Sequence, residues 1–522
     1  MQQLSFKHHV FVLSILLLFS LIVRLLLFSG FVLGDDPAYA SFISQILKGS
    51  YPSVESRVIF ACRPLVLYPV ACSIYLFGWQ EWSFVLPVLI ASLANISIVY
   101  CAGNILGGLL AGSLSALVFA TFPLDVVHST TLSNDILLSM LVWGGGLLML
   151  FAIADHHRKQ YLFLSVLSGF IIGAAVAVKL NAVIAPVLFL GAGSIAMRGK
   201  DIQGKYKILI VWAFSWVCAN ILLCLFFYKI NGDFFAHYHA EMRFNIQFNP
   251  SNYSPSISNL INYLLLYPRW ILCLAREGPY GYSSPPYGYF FIAFLLCVPF
   301  AFFKRFKIIR LPMLCALFYL LVMEFTPLKL FPHYVPIHRL SRFLHIASIP
   351  AAVVIGIVLA KCMLVKNKIF KSIFVVMFLT LIGSSLYWSW VKASFYQDCA
   401  RDQRWAWQQI KNTIAKEIIT DEEMGYYFRF RSGSMPNVRI VSLESAPKIL
   451  PSDALIIAGG ARRPEMDPMY ASKWATTLDQ KNVQLINEAP FSSKPWRVSK
   501  MKIYRTRQDV KDEKPTDILE TQ

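Results

Sequence analysis

The sequence predicts an all-α polytopic membrane protein, with about eleven transmembrane helices plus interfacial helices, followed by a small C-terminal α/β domain outside the membrane. Three observations predict it. Hydrophobic residues make up 56% of the 522 residues and charged residues only 15%, which is too apolar for a soluble domain of this length. Apolar runs near twenty residues recur between short polar loops, matching the length an α-helix needs to cross the hydrocarbon core, whereas a β-barrel would show alternating ten-residue segments. From residue 392 the chain turns polar and alternates short apolar stretches with helix-like ones.

The net charge of +19 is distributed as a topology signal. Four short loops (155–160, 198–207, 304–310 and 361–371) hold 14 Lys or Arg in 34 residues, whereas four longer loops (34–81, 122–135, 229–286 and 329–343) hold 10 in 135. That asymmetry places the short basic loops in the cytoplasm, accounts for the positive charge without a nucleic-acid partner, and puts the N-terminus inside. The expected spans are then 10–32, 83–103, 105–122, 135–154, 161–178, 182–197, 208–228, 287–303, 311–328, 344–361 and 368–390. An odd number of crossings leaves the C-terminus outside. PLVLYPVACSIYLFG (64–78) is short and broken by proline, and counting it as a span would move basic loops to the wrong face; it reads as a helix in the outer interface, as does 260–275. The first apolar run is too long for a cleaved signal peptide and is not ended by a small-residue cleavage site.

The domains expected are thus a transmembrane catalytic domain over 1–391, an extracytoplasmic α/β domain over 392–507, and a disordered, charge-rich tail over 508–522. In the α/β domain VRIVSL (438–443), DALIIAGG (453–460) and VQLI (483–486) read as strands, and RWAWQQIKNTIAKEI (404–418) as helix. Gly459-Gly460 is a lone turn signal that names no ligand. The ten cysteines lie mostly in spans, where a free thiol acts as a small apolar group, and show no CxxC spacing.

An ionisable group at membrane depth costs about 2.5–3.5 kcal/mol on insertion scales, so each calls for a partner or a task. Asp35 and Asp36 follow the first span, with Arg57 and Arg63 further along the same outer loop. Asp125, His128 and Asp135 lie between the third and fourth spans, and Lys179 joins the fifth and sixth. Asp233, His237, His239, Glu241 and Arg243 follow the seventh; Lys329, His333, His338, Arg339, Arg342 and His345 precede the tenth. Taken singly, each has a plain explanation. Asp35-Asp36 before Pro37, and Asp135, fit helix N-termini; Arg63, Lys179, Arg339 and Arg342 fit snorkelling anchors; the histidines fit interfacial polar residues. Taken together, all fall on one predicted side. Carboxylates facing guanidinium and ammonium groups suit a displacement that expels phosphate at a membrane surface. A carboxylate takes the proton of the attacking hydroxyl, the cations hold the departing phosphate, and a divalent metal could share that task.

On these residues the sequence resembles the GT-C glycosyltransferases, in particular the branch of protein O-mannosyltransferases and the lipid A aminoarabinose transferase, over roughly residues 10–360. GDDPAYASFISQILKGSYP (34–52) resembles the family's first outer loop, which opens on two acidic residues and then a Tyr. CRPLVLYPVACSIYLFG (62–78) places Arg63 where the aminoarabinose transferase has Lys. Asp135 matches the second acidic position, VKLNAVIAPVLFL (178–190) places Lys179, FFAHYHAEMRFNIQF (234–248) resembles the His-Tyr and Glu cluster, and HRLSRFLHIASIP (338–350) resembles the late basic segment. Cys62 departs from the pattern, standing where the aminoarabinose transferase carries a metal-associated Glu; Asp36, His237 or Glu241 could replace it.

The resemblance implies a sugar donor carried on a polyprenyl phosphate, a lipid, glycan or protein acceptor on the extracytoplasmic face, surrounding membrane lipids, and inversion at the anomeric carbon. By it Asp35 orients or deprotonates the acceptor hydroxyl, with Asp36 and Asp135 completing the acidic set. Arg63, Lys179, Arg339 and Arg342 bind the donor phosphate, and His128, His237, His239 and Glu241 contact the acceptor or a metal. The short loops and the lack of a retention signal suit a bacterial inner membrane. A transporter or lipid flippase is the alternative from another class. It should show internal repeats and broken spans with binding groups at mid-membrane; the sequence shows no repeat, and only Arg24, deep in the first span, favours it. A noncatalytic scaffold leaves the aligned charges without a purpose.

Overall fold

The computed structural model of the chain describes residues 6–32, 35–54, 59–154, 160–196, 202–247, 264–277, 283–329, 335–336, 340–411, 417–420, 422–431, 439–442, 454–461, 483–490 and 497–506. It divides into two compact units. The first comprises Met1–Gly30, Ser41–Gly278 and Tyr282–Ser394; the second comprises Phe31–Ala40, Pro279–Gly281 and Phe395–Gln522.

The first unit is helical. Its chain runs through α1 (Phe6–Leu26), α2 (Asp36–Leu47, which begins in the second unit), α3 (Pro64–Phe77), α4 (Glu81–Gly107), α5 (Leu109–Ala120), α6 (Pro123–His128) and α7 (Asn134–Ala154). It continues through α8 (Tyr161–Ala174), α9 (Ala185–Ala196), α10 (Ile202–Asn231), α11 (Ala236–Gln247), α12 (Leu266–Ile271), α13 (Phe290–Cys297), α14 (Arg310–Phe325), α15 (His345–Met363) and α16 (Lys368–Ile410, which ends in the second unit). Among the described residues seven helices are long and apolar enough to cross a membrane. Further apolar helices of 10–17 residues occupy Leu109–Ala120, Tyr161–Ala177, Leu180–Gly191 and Phe290–Phe302, where the sequence suggests spans. The first helix ends at Leu26 rather than 32, and beyond it Gly30 takes a φ of 79° that turns the chain. The stretch 64–78 is helical from Pro64, a residue preformed for the first helical turn, to a stop at Gly78, whose φ is 78°. Within 260–275 the described helix is only Leu266–Ile271.

Two helices show how burial follows from sequence. In α1 only Leu16, Ser20, Val23 and Arg24 are buried, one stripe at helical spacing, and the rest of its apolar surface faces outward as a lipid-facing helix would. In α15 every residue from His345 to Ala360 is buried, so this helix is the core about which the others pack. Small residues set the approach: a Cβ added at Gly356 of α15 would lie 2.0 Å from Ser115 Oγ of α5, and one at Gly169 of α8 would lie 2.2 Å from the Trp212 carbonyl oxygen of α10.

The second unit holds a mixed five-stranded sheet in the order β4-β3-β5-β7-β6, after a two-stranded ribbon, β1 (Pro327–Lys329) with β2 (Val335–Pro336), in the first unit. β3 (Glu417–Thr420), α17 (Glu422–Arg431) and β4 (Arg439–Ser442) form a βαβ unit. β5 (Leu455–Ala461) pairs parallel to β3, and β7 (Arg497–Thr506) runs antiparallel between β5 and β6 (Val483–Glu488). Ile419, Val441, Ala454, Ile456 and Ala458 form its core. The strands expected near 438–443, 453–460 and 483–486 are present. The stretch 404–418 differs: α16 ends at Ile410, and Glu417 and Ile418 already belong to β3, where Ile418 and Ile419 are buried between two parallel neighbours. Arg57, His333, His338, Arg339 and the tail 508–522 lie outside the described residues.

Candidate functional site

In the first unit, three of the expected cations stand where helices break. Arg63 precedes Pro64, which keeps its backbone out of the helical region (φ −118°, ψ 62°) and turns the side chain off the start of α3. Lys179 is extended (φ −163°, ψ 134°) between two 3-10 turns, Ala175–Ala177 and Leu180–Ile184. Arg342 belongs to the 3-10 turn Ser341–Leu344 that leads into α15. Asp135 lies in the first turn of α7, where the helix dipole favours a carboxylate.

Lys179 Nζ donates to Asp135 Oδ1 at 2.6 Å and lies 3.6 Å from the centre of the Phe343 ring. Arg342 Nε faces the other oxygen, Asp135 Oδ2, at 3.6 Å, an ion pair too long for a hydrogen bond. Arg63 pairs with Glu241 at 3.9 Å, and its guanidinium lies 5.1 Å from the Phe60 ring centre. Burial pushes the Lys179 ammonium down to about 8; Asp135 opposes this, while Arg342 and Arg63 add to it. Lys179, Arg342 and Asp135 are therefore gathered, and Arg63 acts electrostatically on the same ammonium.

The turn carrying Arg342 is clamped by residues that the sequence reading passed over. Tyr267 and Tyr287 donate their hydroxyls to the carbonyls of Leu340 (3.2 Å) and Ser341 (3.0 Å). Ser341 Oγ donates to both oxygens of Glu277 at 2.9 Å, and the Lys392 ammonium donates to Glu277 at 2.7 Å. Against burial, Lys392 holds the Glu277 carboxyl below its usual range. The signal was faint: Glu277 is one carboxylate in an aromatic, proline-rich loop, and Lys392 is one cation after a long apolar run.

The histidines divide. His237 is buried, stacked on Phe227 at 5.3 Å, with no hydrogen-bond partner on either ring nitrogen, and burial pushes its pKa down to about 4. His239 is exposed and paired with Asp233 at 2.8 Å. Half-buried His128 is held neutral, first by burial and then by the charges of Lys392, Arg342 and His345. Cys62, beside the Arg63 and Glu241 charges, has its thiol pushed up to about 12 by burial, which disfavours the thiolate a metal would need. Among the described residues no group of three or more His, Cys, Asp or Glu could hold a metal ion, so these residues do not fit a metal centre.

His345 and Asp125 belong to a separate, sealed network. Arg24 pairs with Asp125 and donates to Ser92 at 2.8 Å and to the Ala120 carbonyl at 3.2 Å. Ser92 donates to Asp125 at 2.6 Å, and His345 Nε2 lies 2.8 Å from Asp125. Ser139, His345 and Asp125 stand in line like a nucleophilic triad, but all three are fully buried and Ser139 Oγ donates to the Asp135 carbonyl at 2.9 Å. The line is structural: it ties α1, α4 and α6 to the starts of α7 and α15, which carry Asp135 and follow Arg342. Arg24, the residue that favours transport on sequence grounds, is thus a scaffold charge.

In the second unit, Asp35 and Asp36 occupy the segment Phe31–Ala40. Asp36 is buried and accepts the Val32 N–H at 2.8 Å, closing a turn onto the start of α2. Asp35 is half-buried, and its carbonyl accepts the Tyr39 N–H at 3.2 Å. Of the pair, Asp35 is the less buried residue.

A family profile described as Dolichyl-phosphate-mannose-protein mannosyltransferase matches residues 62–224, the stretch that carries Arg63, Asp135 and Lys179. Comparison with curated protein sequences finds no match. Among solved structures, ArnT from Cupriavidus metallidurans bound to undecaprenyl phosphate is similar with a TM-score of 0.55 at 15% identity, over 95% of this chain and 98% of that one. The Archaeoglobus fulgidus oligosaccharyltransferase in the apo form gives 0.54 at 13% identity, over 84% of this chain and 65% of that one. AglB from the same organism, in complex with an inhibitory peptide and a dolichol-phosphate, gives 0.51 at 14% identity, over 83% of this chain and 64% of that one. This chain therefore spans just under two thirds of the oligosaccharyltransferase's length. The chain therefore has the multi-helix membrane fold of these structures, and its residues 62–224 match the mannosyltransferase family profile.

Proposed function

We propose that the protein transfers a sugar from a polyprenyl-phosphate donor to a glycolipid, polysaccharide or protein acceptor on the extracytoplasmic face of a bacterial inner membrane. The observation that carries this reading is the grouping of Lys179 and Asp135, both within the matched stretch 62–224, with Arg342 beside them and Arg63 acting on the same ammonium. Undecaprenyl phosphate is bound in the ArnT structure and a dolichol-phosphate in that of AglB, which supports a lipid-phosphate donor here. The basic short loops support a cytoplasmic N-terminus and an extracytoplasmic C-terminal unit.

In the proposed reaction the acceptor oxygen attacks the anomeric carbon from the face opposite the phosphate, and the configuration inverts. As the new C–O bond forms, the acceptor proton passes to the Asp35 carboxylate. The bond from carbon to phosphate oxygen breaks and its electron pair leaves with the phosphate, whose growing charge Arg63, Lys179 and Arg342 stabilise, with Arg339 expected to join them. Asp135 keeps Lys179 and Arg342 in place. His237 and Glu241 of α11 are the acceptor-side candidates, with His128 and His239 less directly placed. Replacing Asp35 with Asn keeps the side chain's shape and removes the base. Sugar transfer, read by mass spectrometry of cell-envelope glycans from cells with and without the protein, should fall by about a hundredfold or more while the protein still folds. Full transfer by that variant would contradict the reading.

A further inference from the structure

The role of the C-terminal unit emerges from one aromatic contact. Phe31 continues the apolar run of the first helix and by composition belongs in lipid. Instead it is fully buried within the second unit, its ring stacked on Phe430 of α17 at 4.6 Å and 25°, and edge-on to Tyr427 at 5.7 Å. Both partners are buried. The platform is held from its other side, where Phe428 stacks on Trp407 at 6.3 Å and the Arg431 guanidinium lies 5.6 Å from the Trp407 ring centre. From Phe31 the path to the acidic pair is short: the next residue, Val32, donates its N–H to Asp36, and Tyr39 donates back to the Asp35 carbonyl. Fixing one ring therefore restrains Val32 and, through its bond to Asp36, the start of α2 beside Asp35.

We infer that the C-terminal unit serves as a platform for the acidic segment, with Phe430 and Tyr427 as positioning residues that act on Asp35 through Phe31. This rests on the role given to Asp35 above. An aromatic stack suits the task because a ring has few rotatable bonds and one preferred offset geometry, so it restrains direction as well as distance. A base displaced by about 1 Å from its working position costs on the order of a hundredfold in rate, so loosening this contact should show in turnover before it shows in donor binding.

Hydrogen exchange on the full-length protein in nanodiscs tests the inference without reference to activity. Phe430→Leu and Phe31→Leu each keep most of the buried volume and remove the stack. In both, amides of residues 31–40 should exchange about tenfold faster than in the wild type, while peptides covering β3 and β5 keep their protection. Turnover should fall about tenfold with the donor KM within about twofold, a split that a merely structural residue would not produce. Unchanged exchange over 31–40 in both variants would overturn the inference. So would equal loosening of β3 and β5, which would make the stack ordinary core. Should Asp35→Asn transfer sugar normally, the reading of the site falls while the exchange result still decides whether the platform exists.

Discussion

Arg24 with Asp125 and Arg342 with Asp135 are the same two residue types in the same helical unit, yet they are built for opposite ends. Both partners of the first pair are sealed from solvent, and Asp125 is further satisfied by Ser92 and His345. In the second pair Arg342 is 27% exposed and stands 3.6 Å from an Asp135 oxygen that has no hydrogen bond. A saturated pair can take no ligand without losing what holds it. In the long pair the carboxylate is already neutralised on its other side by Lys179, so the Arg342 contact adds little to it. The difference teaches that burial of an ion pair is no guide to function until the remaining lone pairs and protons are followed.

The comparison breaks most visibly through stability. Asp125→Ala leaves Arg24 and His345 without their carboxylate inside the bundle and should destabilise the protein by about 3–5 kcal/mol, read as a lower unfolding midpoint in detergent. The double replacement Arg24→Met with Asp125→Leu should recover much of that loss, since an apolar pair of similar volume leaves no orphaned charge. Arg342→Gln, which leaves Asp135 paired with Lys179, should move the midpoint far less. Equal shifts for Asp125→Ala and Arg342→Gln would erase the distinction drawn between the two pairs.

A smaller effect sharpens it through pH. The ammonium of Lys179, pushed down to about 8 chiefly by burial, is charged below that pH and neutral above it. If it holds the donor phosphate, kcat/KM should fall as pH rises through about 8, by about tenfold per unit once titration is complete. Stability should move the opposite way. Between about 8 and the ordinary lysine value the unfolded chain holds more protons than the folded one, so this residue's contribution to folding improves as pH rises. Lys179→Arg, whose guanidinium stays charged, should lack the alkaline fall. A profile identical to the wild type would remove Lys179 from phosphate binding.

Much of the architecture is legible in the sequence because it depends on properties that add along the chain. Apolar run length announces the helices, and alternation announces β4, β5 and β6. What escapes is pairing at a distance. Nothing local tells that Arg24 meets Asp125, 101 residues away, or that Ser341 and Lys392 meet on Glu277. The strand Glu417–Thr420 is missed for a related reason: Glu417 and Ile418, the end of a helix-forming stretch, join Ile419 and Thr420 as a strand only because β4 and β5 flank them. Of the candidate site, Lys179 and Asp135 are placed together and Arg342 beside them, whereas Asp35, read as the start of an outer loop, lies in a segment grouped with the second unit.

The most direct test is discrimination between undecaprenyl phosphate and undecaprenol by native mass spectrometry of the purified protein. The wild type should retain the phosphate form more than about tenfold better, as expected for charge-assisted contacts worth about 1.5–3 kcal/mol each, and Arg342→Gln combined with Lys179→Met should abolish the preference. Equal retention of the two lipids by the wild type, or an undiminished preference in the double variant, would contradict the assignment of these cations to the donor phosphate.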